Sequence, residues 1–170
     1  GAGGPAASQL TNPSQTIILF VGGTPELHAF TSNLVAPPGR QCFVVALADV
    51  NLQVLAQMGG MPKGTSIIAT QAVPLITSSL PVVRAYRDAL SRFFDEAPSP
   101  QGLAGFIAAR YTAEILGGIS GPITRASMLA ALQRRNDVNV GGYVVAYQGK
   151  KRSNAYVTQS MLTQDGRIIG

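Results

Sequence analysis

The sequence predicts an α/β fold: a βαβαβ parallel-sheet lobe followed by helices and C-terminal strands. Three observations predict it. Short, nearly continuous apolar runs stand at residues 16–21 (TIILFV), 42–48 (CFVVALA) and 65–70 (TSIIAT), the pattern of strands buried on both faces. Helix-like stretches separate these runs. Past residue 80 the chain turns to longer helical runs and then becomes β-rich again.

Each element follows from its residues. Residues 25–34 place Leu27, Phe30 and Leu34 near one stripe, and residues 51–58 place Leu52, Leu55 and Met58 at similar spacing, which makes two short amphipathic helices. Residues 81–94 (PVVRAYRDALSRFF) carry Val83, Tyr86, Leu90 and Phe93 or Phe94 on one face, with Pro81 suited to a first helical turn. After the punctuation APSPQG, residues 103–116 (LAGFIAARYTAEIL) form a strongly apolar helix that stops at Gly117-Gly118. Thr124 caps a third helix, RASMLAALQRR, whose cationic end suits the helix dipole. Residues 142–148 (GYVVAYQ) and 155–162 (AYVTQSML) read as strands of a hairpin around the loop GKKRSN, and Gln164-Asp165-Gly166 reads as a further turn. The three middle helices are more apolar than a lone helical layer needs, so they call for a surface to cover.

Composition bounds the function. At 170 residues with 46% hydrophobic and 12% charged side chains, the chain can bury a sizeable core. No apolar run approaches the ~18 residues of a membrane-crossing helix. The net charge of +5 is scattered, with one cluster at Lys150-Lys151-Arg152. It lacks the concentrated basic face of a nucleic-acid binder, so no nucleic-acid partner is expected. Cys42 is the only cysteine; at the head of an apolar run it reads as a buried structural thiol. Residues 1–15 (GAGGPAASQLTNPSQ) are small, polar and Pro/Gly-rich, and are expected to be a flexible linker, a cloning scar or a cut end.

Catalytic chemistry finds few residues. The stretch LFVGGTPELHAF sets a double glycine between a strand and a helix. It matches neither the GxxxxGK[ST] phosphate loop nor the GxGxxG dinucleotide fingerprint. Thr24 suits an N-cap and Pro25 a first turn. This leaves a plain strand-to-helix turn, or a loop at the carboxyl end of a strand where open α/β sheets take ligands. Asp49 follows the second apolar run; either Asp49 or Asn51 caps the next helix, or Asp49 faces a ligand ammonium group. His28 is the only histidine. No metal-ligand spacing and no nucleophile elbow appear. No catalytic residue, metal or cofactor is therefore expected.

The ordered series of segments carries a resemblance. TIILFVGGTPELHAF, CFVVALADVNLQVLAQMGG, GTSIIATQAVP, PVVRAYRDALSRF, SPQGLAGFIAARYTAEIL, ITRASMLAALQ, GGYVVAY and VTQSMLTQDGR together resemble the C-terminal half of the type I periplasmic solute-binding proteins. The likeness is to the branched-chain amino-acid receptors of ABC importers in particular, over about residues 16–169. The stretch TQAVP and the pair GFIAARYTAEIL and TRASMLAAL carry most of it. The resemblance implies two lobes around a hinge with the ligand in the cleft. It implies that residues 16–80 are the α/β portion of the second lobe and that residues 81–135 are helices of first-lobe type. Residues 136–170 would be strands returning to the hinge and second lobe.

The resemblance further implies Gly23, Thr24, Ala48 and Asp49 as ligand-binding positions. The serine and threonine groups of the first lobe that clasp the ligand's carboxylate would lie in sequence absent here. This chain carries Thr24 where such receptors often have an aromatic, and LAGF at residues 103–106 where many read LEGY. The implied function is the non-catalytic, periplasmic solute-binding component of an ABC importer, present as a fragment or truncated form. Its partners would be a small polar ligand such as an amino acid, a membrane permease, and a missing N-terminal lobe or a second copy. The alternatives are an extracytoplasmic sensory or interaction module of the same fold, and a nucleotide-binding α/β enzyme using the Gly22-Gly23 turn.

Overall fold

The computed structural model describes residues 17–36, 38–39, 41–59, 61–135, 137–148, 151–152 and 156–170. Residues 1–15, read above as a linker, and Thr16 lie outside the described residues. The chain forms two compact units, one from the residues up to Gln71 together with Thr158–Gly170, the other from Ala72–Val157.

The first unit is built on β1 (Ile17–Phe20), α1 (Thr24–Ser32), β2 (Cys42–Ala46), α2 (Leu52–Met58) and β3 (Thr65–Gln71). Strands β1, β2 and β3 are parallel neighbours, with Leu19 beside Val45 and Val45 beside Ile68. The sheet is completed from the far end of the sequence by β7 (Thr158–Leu162), antiparallel to β3, and β8 (Ile168–Ile169), antiparallel to β7. Its order is β1-β2-β3-β7-β8. The core lies on one face: Leu27, Leu34, Leu52 and Leu55 pack with Val44, Ala46, Ile67, Ala69 and Leu162.

Several boundaries differ from the periodicity. Helix α1 stops at Ser32 rather than residue 34, because Ser32 and Asn33 both donate side-chain hydrogen bonds back to carbonyls four residues earlier, a local alternative to continued helix. Strand β2 ends at Ala46, and Leu47–Val50 is a turn closed by the Val50 N–H on the Leu47 carbonyl at 3.1 Å. Burial of β1 on both faces is not what the structure shows: Ile17 and Leu19 are 68% and 69% exposed, since both helices occupy the opposite face.

The second unit contains α3 (Pro81–Phe93), α4 (Pro100–Gly117), α5 (Arg125–Arg134), β4 (Asp137–Val140), β5 (Tyr143–Gln148) and β6 (Lys151–Arg152). Helix α4 starts earlier than its apolar run because the Ser99 side chain accepts from the Gly102 N–H at 3.1 Å and Pro100 fits the first turn. Thr124 caps α5 as expected, in a reciprocal pair with Ser127. The core joins Val82, Val83 and Tyr86 to Leu103, Ile107, Ile115, Ala131, Val138, Val140 and Tyr143.

The expected hairpin between residues 142–148 and 155–162 does not form. Strand β5 pairs antiparallel with β4 and with β6, while β7 pairs with β3. The physical reason is the Gly141-Gly142 pair, at φ +57° and +90°, which makes the two-residue hairpin loop that places Val140 opposite Tyr143. Residues 136–170 thus split. Strands β4 to β6 belong to the second unit, β7 and β8 to the first, and residues 72–80 go with the helices rather than with the parallel strands.

Candidate functional site

In the first unit the carboxyl ends of β1, β2 and β3 share one edge of the sheet, because the three strands run parallel in register. At that edge lie Gly22-Gly23-Thr24, Leu47-Ala48-Asp49-Val50-Asn51 and Gln71, the last residue of β3, and they include all four positions expected from the sequence. Gly23, not Thr24, caps α1, with the Leu27 N–H donating to the Gly23 carbonyl at 3.0 Å. Thr24 is the first helical residue and is 9% exposed.

The Thr24 hydroxyl oxygen accepts a hydrogen bond from the Asn51 N–H at 2.9 Å. One side chain thereby ties the loop after β1 to the loop after β2. Asn51 in turn caps α2, its side-chain oxygen accepting from the N–H groups of Gln53 and Val54 at 3.0 and 3.2 Å. The capping role open to Asp49 or Asn51 falls to Asn51. Ala48 and Asp49 are exposed on the turn, and Asp49 makes no salt bridge with a described residue.

The double glycine does not behave as a phosphate cradle. Neither Gly22 nor Gly23 has a positive φ. A Cβ on Gly23 would meet the Glu26 carboxylate at 2.9 Å, so the first turn of α1 already has an anion beside it. A carboxylate there satisfies the positive end of the helix and repels a second anion. No Lys or Arg occurs from residue 17 to residue 39 or from residue 41 to residue 62. With Glu26 and Asp49 on these loops, the edge favours a cationic group such as an ammonium over a phosphate.

The structure adds a residue that the motifs did not single out. Gln71, the last residue of β3, is 5% exposed, and its side chain has no hydrogen-bond partner among the described residues. At the carboxyl end of the strand such a carboxamide offers both a donor and an acceptor. The signal was present in TQAVP, where a polar residue closes a buried strand. His28 lies within α1 and its carbonyl accepts from Thr31 and Ser32. Cys42 sits at the amino end of β2, a strand's length from this edge, where burial pushes its thiol pKa up. Among the described residues no three His, Cys, Asp or Glu side chains gather as a metal site would need. No described helix is long and apolar enough to cross a membrane.

No family model matches the chain, and no curated protein matches it. Solved structures do. A substrate-binding periplasmic protein from Ralstonia solanacearum is 22% identical, with a TM-score of 0.78, over 98% of this chain and 48% of its own. An extracellular ligand-binding receptor from Verminephrobacter eiseniae is 22% identical, with a TM-score of 0.77, over 96% of this chain and 47% of its own. A possible leucine/isoleucine/valine-binding protein from Rhodopirellula baltica is 23% identical, with a TM-score of 0.74, over 95% of this chain and 44% of its own. The chain therefore spans less than half the length of the solved proteins it matches. The resemblance read from the ordered segments holds at the level of fold: the chain is folded as half of a type I periplasmic binding protein.

Proposed function

We propose that this chain, folded as one half of a type I periplasmic binding protein, is the non-catalytic solute-binding part of an ABC-type importer, working outside the cytoplasmic membrane. The observation that carries the reading is the Thr24–Asn51 hydrogen bond, which holds two strand-end loops as one pre-organised edge. Open α/β sheets take their ligands at such edges. The solved protein from Rhodopirellula baltica, described as a possible leucine/isoleucine/valine-binding protein, supports an amino acid or a similar small polar solute.

The residues divide the work by chemistry. Asp49, exposed and aided by Glu26, attracts the solute's ammonium group. The Thr24 hydroxyl accepts from Asn51 and still has a proton to donate, and the Gln71 carboxamide has both a donor and an acceptor to offer. Gly23 and Ala48 keep the loops small where the solute approaches. The second wall of the cleft, including groups for the solute's carboxylate, comes from polypeptide corresponding to the part of the solved proteins that this chain does not cover. Closure of the two walls on the solute makes the form that docks on a permease.

A titration of the isotope-labelled chain with free leucine, isoleucine and valine, followed by amide NMR, tests this. Shifts confined to residues 22–24, 48–51 and 71 are expected, with weak affinity because one wall alone is present. Shifts induced by nucleotides and not by amino acids would replace the reading with the nucleotide-binding alternative. Silence at these three loops would remove them as the site.

A further inference from the structure

The turn between β7 and β8 holds the one aspartate that a glycine follows. Of Asp49, Asp88, Asp95, Asp137 and Asp165, only Asp165 precedes a glycine, and no asparagine does. An aspartyl-glycyl link is open to attack by its own main chain, because a glycine has no Cβ to shield its nitrogen. The reaction needs two things. The carboxyl must be protonated, so that water can leave, and it must swing back over the nitrogen of the next residue. Sterics do not prevent it at this turn: Asp165 is exposed, and a Cβ on Gly166 would meet no atom within 4 Å.

Hydrogen bonds prevent it instead. The Asp165 carboxylate accepts from the Thr163 hydroxyl on one oxygen and from Arg167 Nε at 2.5 Å on the other. Both bonds favour the ionised carboxylate, the form that cannot expel water. Both also tie its oxygens to residues other than Gly166. The nucleophile is held as well, since the Gly166 N–H donates to the Thr163 carbonyl at 2.9 Å. The Thr163 N–H donates to the Arg167 carbonyl at 2.9 Å and closes the turn.

We infer that Asp165-Gly166 is a site of spontaneous aspartyl isomerisation that the folded turn keeps shut, with Thr163 and Arg167 as the residues that hold it. In the reaction the Gly166 nitrogen bonds to Asp165 Cγ, its proton and the carboxyl hydroxyl leave as water, and a five-membered succinimide forms. Water then opens one of the two carbonyls. One opening restores the aspartate, and the other leaves a β-aspartyl link of unchanged composition with one more carbon in the main chain. That carbon falls between β7 and β8, where Leu162 pairs with Ile168 and Met161 with Ile169. Turn length fixes the register of such a pair, so the lengthened turn releases β8 from the edge of the five-stranded sheet.

Enzymatic methylation of β-aspartyl carboxyls, read by peptide mapping after incubation at neutral pH, tests the inference. Rates are compared at a temperature where circular dichroism shows every variant folded. Slow labelling confined to Asp165 is expected for the wild-type chain. Thr163→Val and Arg167→Gln should label roughly three- to tenfold faster, the factor that one lost hydrogen bond represents. Thr163→Ser keeps the hydroxyl and should stay slow. A free peptide of residues 162–168, and the wild-type chain in urea, should both outpace the folded chain. A folded wild-type chain that labels as fast as the peptide overturns the inference. Labelling of both variants at the wild-type rate, or labelling centred on another residue, overturns it equally.

Discussion

Thr24 and Asn51 stand 27 positions apart in the chain, and the backbone N–H of one donates to the side-chain oxygen of the other at 2.9 Å. The bond crosses from the first residue of α1 to the cap of α2. Thr24→Val keeps the shape and removes the acceptor, leaving a half-buried N–H unpaired. A loss of about 1 kcal/mol in urea unfolding is expected, together with faster hydrogen exchange at the Asn51 amide. Unchanged exchange there would show that the tie is not formed in solution.

Asn51→Ala removes the two capping bonds to Gln53 and Val54 and should cost about 1 kcal/mol. Asn51→Asp should restore most of that, since a carboxylate caps as well and suits the helix dipole. Thermal melts of the two variants side by side measure the difference.

Gly102 lies one turn into α4 beneath the ring of Tyr86. A Cβ there would overlap the Tyr86 hydroxyl and come within 3.1 Å of Cζ. That hydroxyl also accepts from the Ser99 N–H at 3.2 Å, so it cannot swing away freely. Gly102→Ala should cost about 1–3 kcal/mol by overpacking. In combination with Tyr86→Phe the two losses should add to less than their sum, because both act on one contact.

The Gly141-Gly142 loop gives a backbone prediction. Gly141 has φ +57°, and a Cβ would sit 2.9 Å from the Val82 nitrogen, whose N–H donates to the Gly141 carbonyl at 3.0 Å. Gly141→Ala meets the left-handed penalty of roughly 1–2 kcal/mol as well as the clash. It should destabilise the second unit more than Gly166→Ala destabilises the first, because Gly166 has a similar φ but open space around it.

Asp165 carries the pH dependence that the β7–β8 turn should show. The Thr163 hydroxyl and then Arg167, whose Nε lies 2.5 Å away, hold its carboxyl below the usual range. A carboxylate with a lowered folded pKa stabilises the fold above its unfolded value, and that contribution fades as pH falls through the folded value. Carbon-detected NMR should find its midpoint below the ordinary range of an aspartate. In Thr163→Val the Asp165 midpoint should rise.

The parallel half of the fold was legible because its strands read as continuous apolar runs and its helices as short stripes. Val44, Ile67, Leu27 and Leu55 announced themselves by spacing alone. The C-terminal strands did not. DVNV at residues 137–140 is short and polar in alternation, and the Val-Gly-Gly-Tyr signal that fixes its pairing with β5 was overshadowed by the charged loop GKKRSN. Partner choice for β7 was invisible for another reason: its contact with β3 spans most of the chain, and no local pattern encodes it. Among the site positions, Thr24 and Asp49 were legible as residues at strand ends. The Thr24–Asn51 bond was not, since it depends on how two loops meet in space, and Gln71 stands one residue past the apolar run read at residues 65–70.

Inserting the whole of Ala72–Val157 between β3 and its partner β7 has consequences for biosynthesis. The first unit cannot complete its sheet while the ribosome is still making the helices; β3 waits with one edge unpaired until Thr158–Leu162 has been made. Long-range pairing of this kind is slow and leaves an aggregation-prone edge meanwhile. A premature stop before Thr158 would therefore damage the unit of β1, β2 and β3, leaving the unit made after it with its own core complete.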